Sequence, residues 1–99
     1  MNQLDFNGRH AVVTGGATGL GYAIAQRLVA SGGSVTLWDR DLAAAQRAAR
    51  VLGPKASATE VDVARHESVQ SAAAATVQQA GRIDALVNSA GITGPNAKV

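Results

Sequence analysis

The sequence contains no cysteine. Disulfide staples, thiolate metal sites and cysteine nucleophiles are excluded together, which agrees with a cytoplasmic location. Aromatic residues are nearly as scarce, Phe6, Tyr22 and Trp38 being the whole complement. Nucleic-acid binding wants a concentrated basic face with aromatic platforms. Here Arg9, Arg27, Arg40, Arg47, Arg50, Arg65 and Arg82 are scattered, and a formal net charge of +2 reads as solvated surface charge. No run approaches the roughly 18 to 20 apolar residues of a membrane span. Met1-Asn2-Gln3-Leu4-Asp5 has no basic patch leading into an apolar core, so it does not resemble a signal peptide. Neither nucleic acid nor membrane is expected as a partner, and the expected compartment is the cytoplasm. Ninety-nine residues allow one small domain with a modest core.

Glycine, by contrast, is concentrated in Thr14-Gly15-Gly16-Ala17-Thr18-Gly19-Leu20-Gly21. Before it, His10-Ala11-Val12-Val13 is short and β-branched and reads as a buried strand over about His10 to Thr14. His10 opens that strand and is expected to be exposed or at an edge, since nothing nearby completes a metal set. After the glycines, Leu20, Ile24 and Leu28 recur every fourth residue with Ala23 beside them, predicting a helix over Gly19 to Ala30. Ser31-Gly32-Gly33 stops it. A strand turning through glycines into a helix aims backbone N–H groups and the positive helix end at one point, a good place for a phosphate. Gly15 would let the chain leave the strand, Gly19 would let a pyrophosphate approach the backbone, and Gly21 would let helix and strand pack closely. A tight turn without a ligand would use the same glycines, but the matching flanks favour phosphate binding.

Ser34 to Trp38 alternates and is β-branched, predicting a second strand. Asp39 follows it, 20 residues past Gly19, where an acid at a dinucleotide site accepts hydrogen bonds from the adenosine 2′-OH. A 2′-phosphate there would meet a like charge, which favours NAD over NADP. Arg40 keeps NADP as an alternative: it could cover the adenine, or accept a 2′-phosphate if Asp39 turned away. Asp41 is placed to cap a helix over Leu42 to Leu52, with Leu42, Ala45, Ala49 and Leu52 on one face, ended by Gly53-Pro54. Lys55 to Ser57 reads as a connector, and Ala58 to Val61 as a short third strand ending at Asp62-Val63. A helix over Arg65 to Ala80 follows, with Val69, Ala73, Val77 and Ala80 as its buried stripe and His66 exposed. The capping-box position before Glu67 is Ala64, so an end-group hydrogen bond must be made otherwise. Ile83 to Val87 reads as a fourth strand, leading into Asn88-Ser89-Ala90-Gly91 and a polar tail.

Strictly alternating strands and helices with short loops predict an α/β fold with a parallel sheet and right-handed crossovers. If the first strand sits where the winding reverses, the order is 3-2-1-4 and ligands bind at the C-terminal strand ends. The glycine turn, Asp39, Asp62 and Asn88 all fall at that rim.

With those residues together, the chain resembles the N-terminal part of a short-chain dehydrogenase/reductase. The family's Thr-Gly-x-x-x-Gly-x-Gly stands as Thr14 to Gly21, and its Asn-Asn-Ala-Gly as Asn88-Ser89-Ala90-Gly91, with Ser89 a mild departure. Asp62-Val63 matches the pair that contacts adenine. The resemblance implies a Rossmann-type doubly wound sheet, truncated here after the fourth strand, in which residues 1–99 form the N-terminal part of a single NAD(P)-binding domain. It implies cofactor contacts from Gly15, Thr18, Gly19, Leu20, Gly21, Asp39, Arg40, Asp62, Val63, Asn88, Ala90 and Gly91. Family catalysis uses a Ser and a Tyr-x-x-x-Lys that follow the fourth strand; the sole tyrosine here is Tyr22 and the residue four on is Gln26. No catalytic residue and no metal ligand is therefore named. The chain is expected to be inactive alone. A longer chain would take a small alcohol or carbonyl substrate through its C-terminal part and assemble as a homo-oligomer. The competing readings are a non-catalytic nucleotide-binding or interaction module that docks through a strand edge, and a methyltransferase, which the glycine spacing and Asn88 to Gly91 disfavour.

Overall fold

Four strands and three helices alternate along residues 6–89, the part of the chain that the computed structural model describes. Strands β1 (His10–Thr14), β2 (Ser34–Asp39), β3 (Ala56–Glu60) and β4 (Ala85–Asn88) form one sheet in the order β3-β2-β1-β4, every pair parallel. Helices α1 (Gly19–Ala30), α2 (Leu42–Leu52) and α3 (His66–Ala80) are the crossovers that parallel neighbours require. This is the expected 3-2-1-4 order. No helix among the described residues is long and apolar enough to cross a membrane.

Alternation along the strands divides the apolar residues between two cores. On one face Ala11, Val13, Val35 and Leu37 meet Ala25 and Leu28 of α1 and Ala45, Ala48 and Ala49 of α2. On the other, Val12 and Trp38 meet Val61 and Ala72, with Val69 and Ala73 of α3 packed against them. Helix α2 matches its expected span, and the Asp41 carboxylate caps it by accepting from Ala44 N at 3.0 Å.

The buried stripes of the other two helices are rotated from expectation. In α1 the inward positions are Gly21, Ala25 and Leu28, while Ala23 is exposed and Leu20 is 55% exposed. Gly21, having no side chain, lies closest to the sheet and turns Leu20 outward. In α3 the inward residues are Ala72 and Thr76, and Val77 and Ala80 are exposed. Trp38 Nε1 donates to Thr76 Oγ1 at 3.3 Å; a buried indole N–H needs an acceptor, and it draws Thr76 inward. At the start of α3, Asp62 Oδ1 accepts from Ala64 N and Ser68 Oγ accepts from Asp62 N, both at 3.0 Å. That is the substitute for the missing capping box, and Arg65 stands just outside the helix.

Strand boundaries also shift. β3 begins at Ala56 rather than Ala58 because Val35 N donates to Lys55 O at 2.9 Å, bringing Ala56 and Ser57 into register beside β2. β4 begins at Ala85 and includes Asn88, which pairs with Thr14. Ile83 and Asp84 are left outside, Asp84 being taken up with the backbone of His10 on both sides: Oδ2 accepts from His10 N and Asp84 N donates to His10 O, each at 2.8 Å.

His10 itself corrects the expectation of an exposed or edge residue, for it is 5% exposed on a central strand flanked by β2 and β4. Its ring is accommodated by hydroxyls: Nδ1 lies 2.6 Å from Ser34 Oγ, Nε2 lies 2.8 Å from Thr36 Oγ1, and Thr36 Oγ1 is 3.1 Å from Ser57 Oγ. Burial holds the imidazole below its ordinary value, opposed by the Asp84 carboxylate. Asp84 is in turn held below the usual carboxylate range by its two 2.7 Å bonds from Arg82 and by the His10 amide. With the folded pKa of His10 depressed, the unfolded chain binds the proton more readily. The contribution of His10 to stability is complete above the unfolded value of about 6.5 and is lost as pH falls below it. Thermal melts between pH 8 and pH 5 are expected to show that decline, and His10→Leu is expected to flatten it whatever its effect on the melt at pH 8.

Candidate functional site

The C-terminal ends of β1 and β2 open on a cleft of about 260 Å³, lined by Gly15, Thr18, Leu20, Gly21, Trp38, Asp39, Arg40, Val61, Val63 and Ser89. The glycine turn forms one wall. Gly15 N donates to Trp38 O at 2.7 Å, extending the β1–β2 ladder by one bond, and the chain then turns with Gly15 at φ +63°. Gly19 is also left-handed, at φ +59°, and a Cβ built there meets nothing within 4 Å. Gly21 differs: a Cβ would run into the Gly15 carbonyl oxygen and lie 2.5 Å from Ser89 Oγ. The helix can approach the strand end only because that atom is absent.

Helix α1 begins at this wall with Thr18 in extended geometry at its N-cap, making no side-chain capping bond, and with no acidic residue in its first turn. The first N–H groups of a helix have no intrahelical acceptor, and here the helix supplies no anion of its own. The positive end of α1 thus meets the cleft with no acidic side chain from its own first turn.

Asp39 forms the opposite wall. Its Oδ2 accepts from Ala17 N at 3.2 Å and its Oδ1 from Asp41 N at 3.0 Å, so the carboxylate ties the glycine turn to the end of β2. A carboxylate has about four lone-pair sites, and the two bonds leave acceptor capacity toward the cleft. Arg40 is exposed beside it. Trp38, Val61 and Val63 give the cleft an apolar lining.

Seven of the residues singled out from the sequence line this space: Gly15, Thr18, Leu20, Gly21, Asp39, Arg40 and Val63. Gly19 stands in the same turn between Thr18 and Leu20. Asp62 and Asn88 are at the same sheet end but do not line the cleft. The carboxylate of Asp62 closes the turn before α3, and Asn88 Oδ1 accepts from Thr14 Oγ1 at 2.9 Å. Ala90 and Gly91 lie outside the described residues. Trp38, Val61 and Ser89 were not anticipated as lining. The signal for the first two was present, since the last apolar residue of each strand run at a ligand-binding sheet end is placed to floor it. The sequence marks Ser89 only as the departure from Asn-Asn-Ala-Gly, not as lining.

Chemically, the cleft offers N–H donors and a helix dipole at one end, a hydrogen-bond-accepting carboxylate at the other, and flat apolar surface between. The described side chains at this cleft are suited to accepting hydrogen bonds from a bound ligand and donating them to it. Among the described residues no group of three or more His, Asp or Glu side chains is arranged to hold a metal ion.

Comparison with known proteins agrees with this architecture. A family model described as short chain dehydrogenase matches residues 9–99. The chain is 43% identical over 99 residues to 2-dehydro-3-deoxy-L-rhamnonate dehydrogenase (NAD(+)) of Sphingomonas sp. (strain SKA58), covering 95% of this chain and 37% of that protein. It is 43% identical over 82 residues to human 3-hydroxyacyl-CoA dehydrogenase type-2, covering 83% of this chain and 31% of that protein. The solved 3-ketoacyl-(acyl-carrier-protein) reductase of Brucella melitensis, complexed with NADH, superposes with a TM-score of 0.80 at 33% identity, over 83% of this chain and 34% of that one. The chain thus spans about a third of the length of the relatives it matches.

Proposed function

This chain belongs to the short-chain dehydrogenase family, and on that premise we propose that residues 1–99 are the N-terminal, cofactor-binding part of a single domain in an NAD-dependent oxidoreductase. The observation that carries the reading is the convergence of the left-handed glycine turn, the N-terminal end of α1 and Asp39 on one cleft. The open space at Gly19 fits a diphosphate, which the N–H groups of the turn and of Thr18, Leu20 and Gly21 would hold. Asp39 would accept from the adenosine ribose, with Arg40 over the adenine and Asp62-Val63 at its edge. Asn88, at the end of β4, would border the nicotinamide end. When bound, the dinucleotide supplies hydride exchange with an alcohol or carbonyl carbon. The residues of this chain bind and orient it, and the proton-transferring groups are not among them. The relative named for NAD(+) and the structural neighbour solved with NADH support the choice of cofactor.

Asp39 favours NAD, because a 2′-phosphate would face its carboxylate; Arg40, exposed at the same wall, is the residue through which NADP would be accommodated. The cysteine-free composition supports a cytoplasmic setting. Leu86, 62% exposed on the edge strand β4, supports further packing against that strand. Titration with NADH, NADPH and S-adenosylmethionine tests the assignment: NADH is expected to bind tightest, and tightest binding of S-adenosylmethionine would overturn it.

A further inference from the structure

We propose that Ser89 is a positioning residue for the phosphate end of the cleft: its hydroxyl fastens the end of β4 to β1 beneath the first turn of α1, and its small size sets where that turn sits. The inference rests on the dinucleotide reading above and adds a residue which that reading does not use.

Ser89 is 4% exposed, although it directly follows a strand on which Leu86 is 62% exposed. Its Oγ donates to the carbonyl oxygen of Thr14, the last residue of β1. The acceptor is thus one residue before Gly15, where the backbone turns left-handed. The same Oγ would lie 2.5 Å from a Cβ at Gly21. A single hydroxyl therefore reaches both the residue from which the glycine turn departs and the first turn of the helix into which it leads. Thr14 Oγ1 also donates toward Asn88 Oδ1 at 2.9 Å and Val87 O at 3.3 Å. The end of β4 grips the end of β1 at several points, and Ser89 is the one that extends under α1.

Backbone donors bind a diphosphate well only when they are held close to the productive geometry by hydrogen bonds behind them. Ser89 supplies such a bond on the side of the turn away from Asp39, whose carboxylate holds the other side through Ala17 N. The turn is thus clamped from two strands, β2 through Asp39 and β4 through Ser89. Removing the hydroxyl loosens the diphosphate end, and adding bulk at position 89 presses against the gap that Gly21 leaves open.

The test is calorimetric titration at 15 °C of the natural polypeptide carrying these residues and of its Ser89→Ala and Ser89→Val variants, against NADH, ADP-ribose and adenosine. Ser89→Ala is expected to weaken NADH and ADP-ribose alike by about threefold to tenfold, the loss of one net hydrogen bond, and to leave adenosine, which lacks the diphosphate, unchanged. Ser89→Val is expected to weaken the first two further; should it not fold, Ser89→Ala decides. A general loosening of the fold would lower the melting temperature without separating adenosine from ADP-ribose. Equal loss for all three ligands, or NADH binding by Ser89→Ala within twofold of the parent, overturns the positioning role while the cofactor reading stands. Failure of the parent itself to bind NADH overturns both.

Discussion

Gly21→Ala is expected to lower the melting temperature by on the order of 10 °C and to abolish measurable NADH binding. The added Cβ has no room: it would meet the Gly15 carbonyl and sit 2.5 Å from Ser89 Oγ and 3.0 Å from the Gly15 carbonyl carbon. Two of these three atoms are backbone, so α1 must move away from the strand end. Overpacking of this kind costs roughly 1–3 kcal/mol, and each kcal/mol moves the melt of a domain this small by about 4–8 °C. The displaced helix also carries its N–H groups away from the cleft. Gly19→Val provides the contrast, because nothing stands within 4 Å of a Cβ at that position. It bears the strain of a left-handed, β-branched residue, roughly 1–2 kcal/mol, and keeps its fold, yet its side chain occupies the space assigned to the diphosphate. Circular dichroism melts with parallel NADH titrations check both. Unchanged NADH affinity in Gly19→Val would remove the diphosphate from this turn.

Asp39→Asn is expected to weaken NADH by roughly tenfold or more and to raise the NADPH-to-NADH affinity ratio by about two orders of magnitude. A hydrogen bond to a charged acceptor contributes roughly 1.5–3 kcal/mol, and the amide removes that charge. The same change removes the like charge that a 2′-phosphate would face and leaves Arg40 beside it as an unopposed cation. A smaller effect on stability accompanies this, since Ala17 N and Asp41 N both use the Asp39 carboxylate as acceptor and the amide offers one oxygen for two donors. Fluorescence titration with the two reduced cofactors gives the ratio directly. A ratio that does not move would separate Asp39 from the ribose and leave it only its role as a strut between β2 and the turn.

The parts of the fold legible in the sequence were those with strong local signals. α1 and α2 fall where the glycines, Asp41 and Gly53 bound them, and the sheet order follows from alternation and crossover handedness. Ala56 and Ser57 have weak strand propensity and look like a connector, yet pairing with an already ordered β2 recruits them. Hydrophobicity alone puts the α3 stripe toward Val77 because it ranks valine above threonine, whereas Thr76 is chosen by the indole of Trp38. At the site, the glycines and Asp39 announce themselves by spacing. Ser89 does not, since its importance lies in a contact with Thr14, 75 residues away in the chain, and in an empty position at Gly21. His10 fails for a similar reason: a histidine on a strand looks solvent-seeking until its hydroxyl partners on the neighbouring strand are known.

Those partners have a consequence for how the sheet finds its alignment. His10 lies opposite Ser34, with Thr36 diagonal to it, so each ring nitrogen meets a hydroxyl in this register only. Sliding β2 by one residue would send its side chains to the other face of the sheet. Sliding it by two would keep the face but put one nitrogen against Gly32 or against the indole of Trp38. An imidazole stranded in the interior without a hydrogen-bond partner would be costly. The histidine therefore works as a key cut for one alignment, and by holding β2 level with β1 at the far end of the sheet it helps bring Asp39 level with the glycine turn.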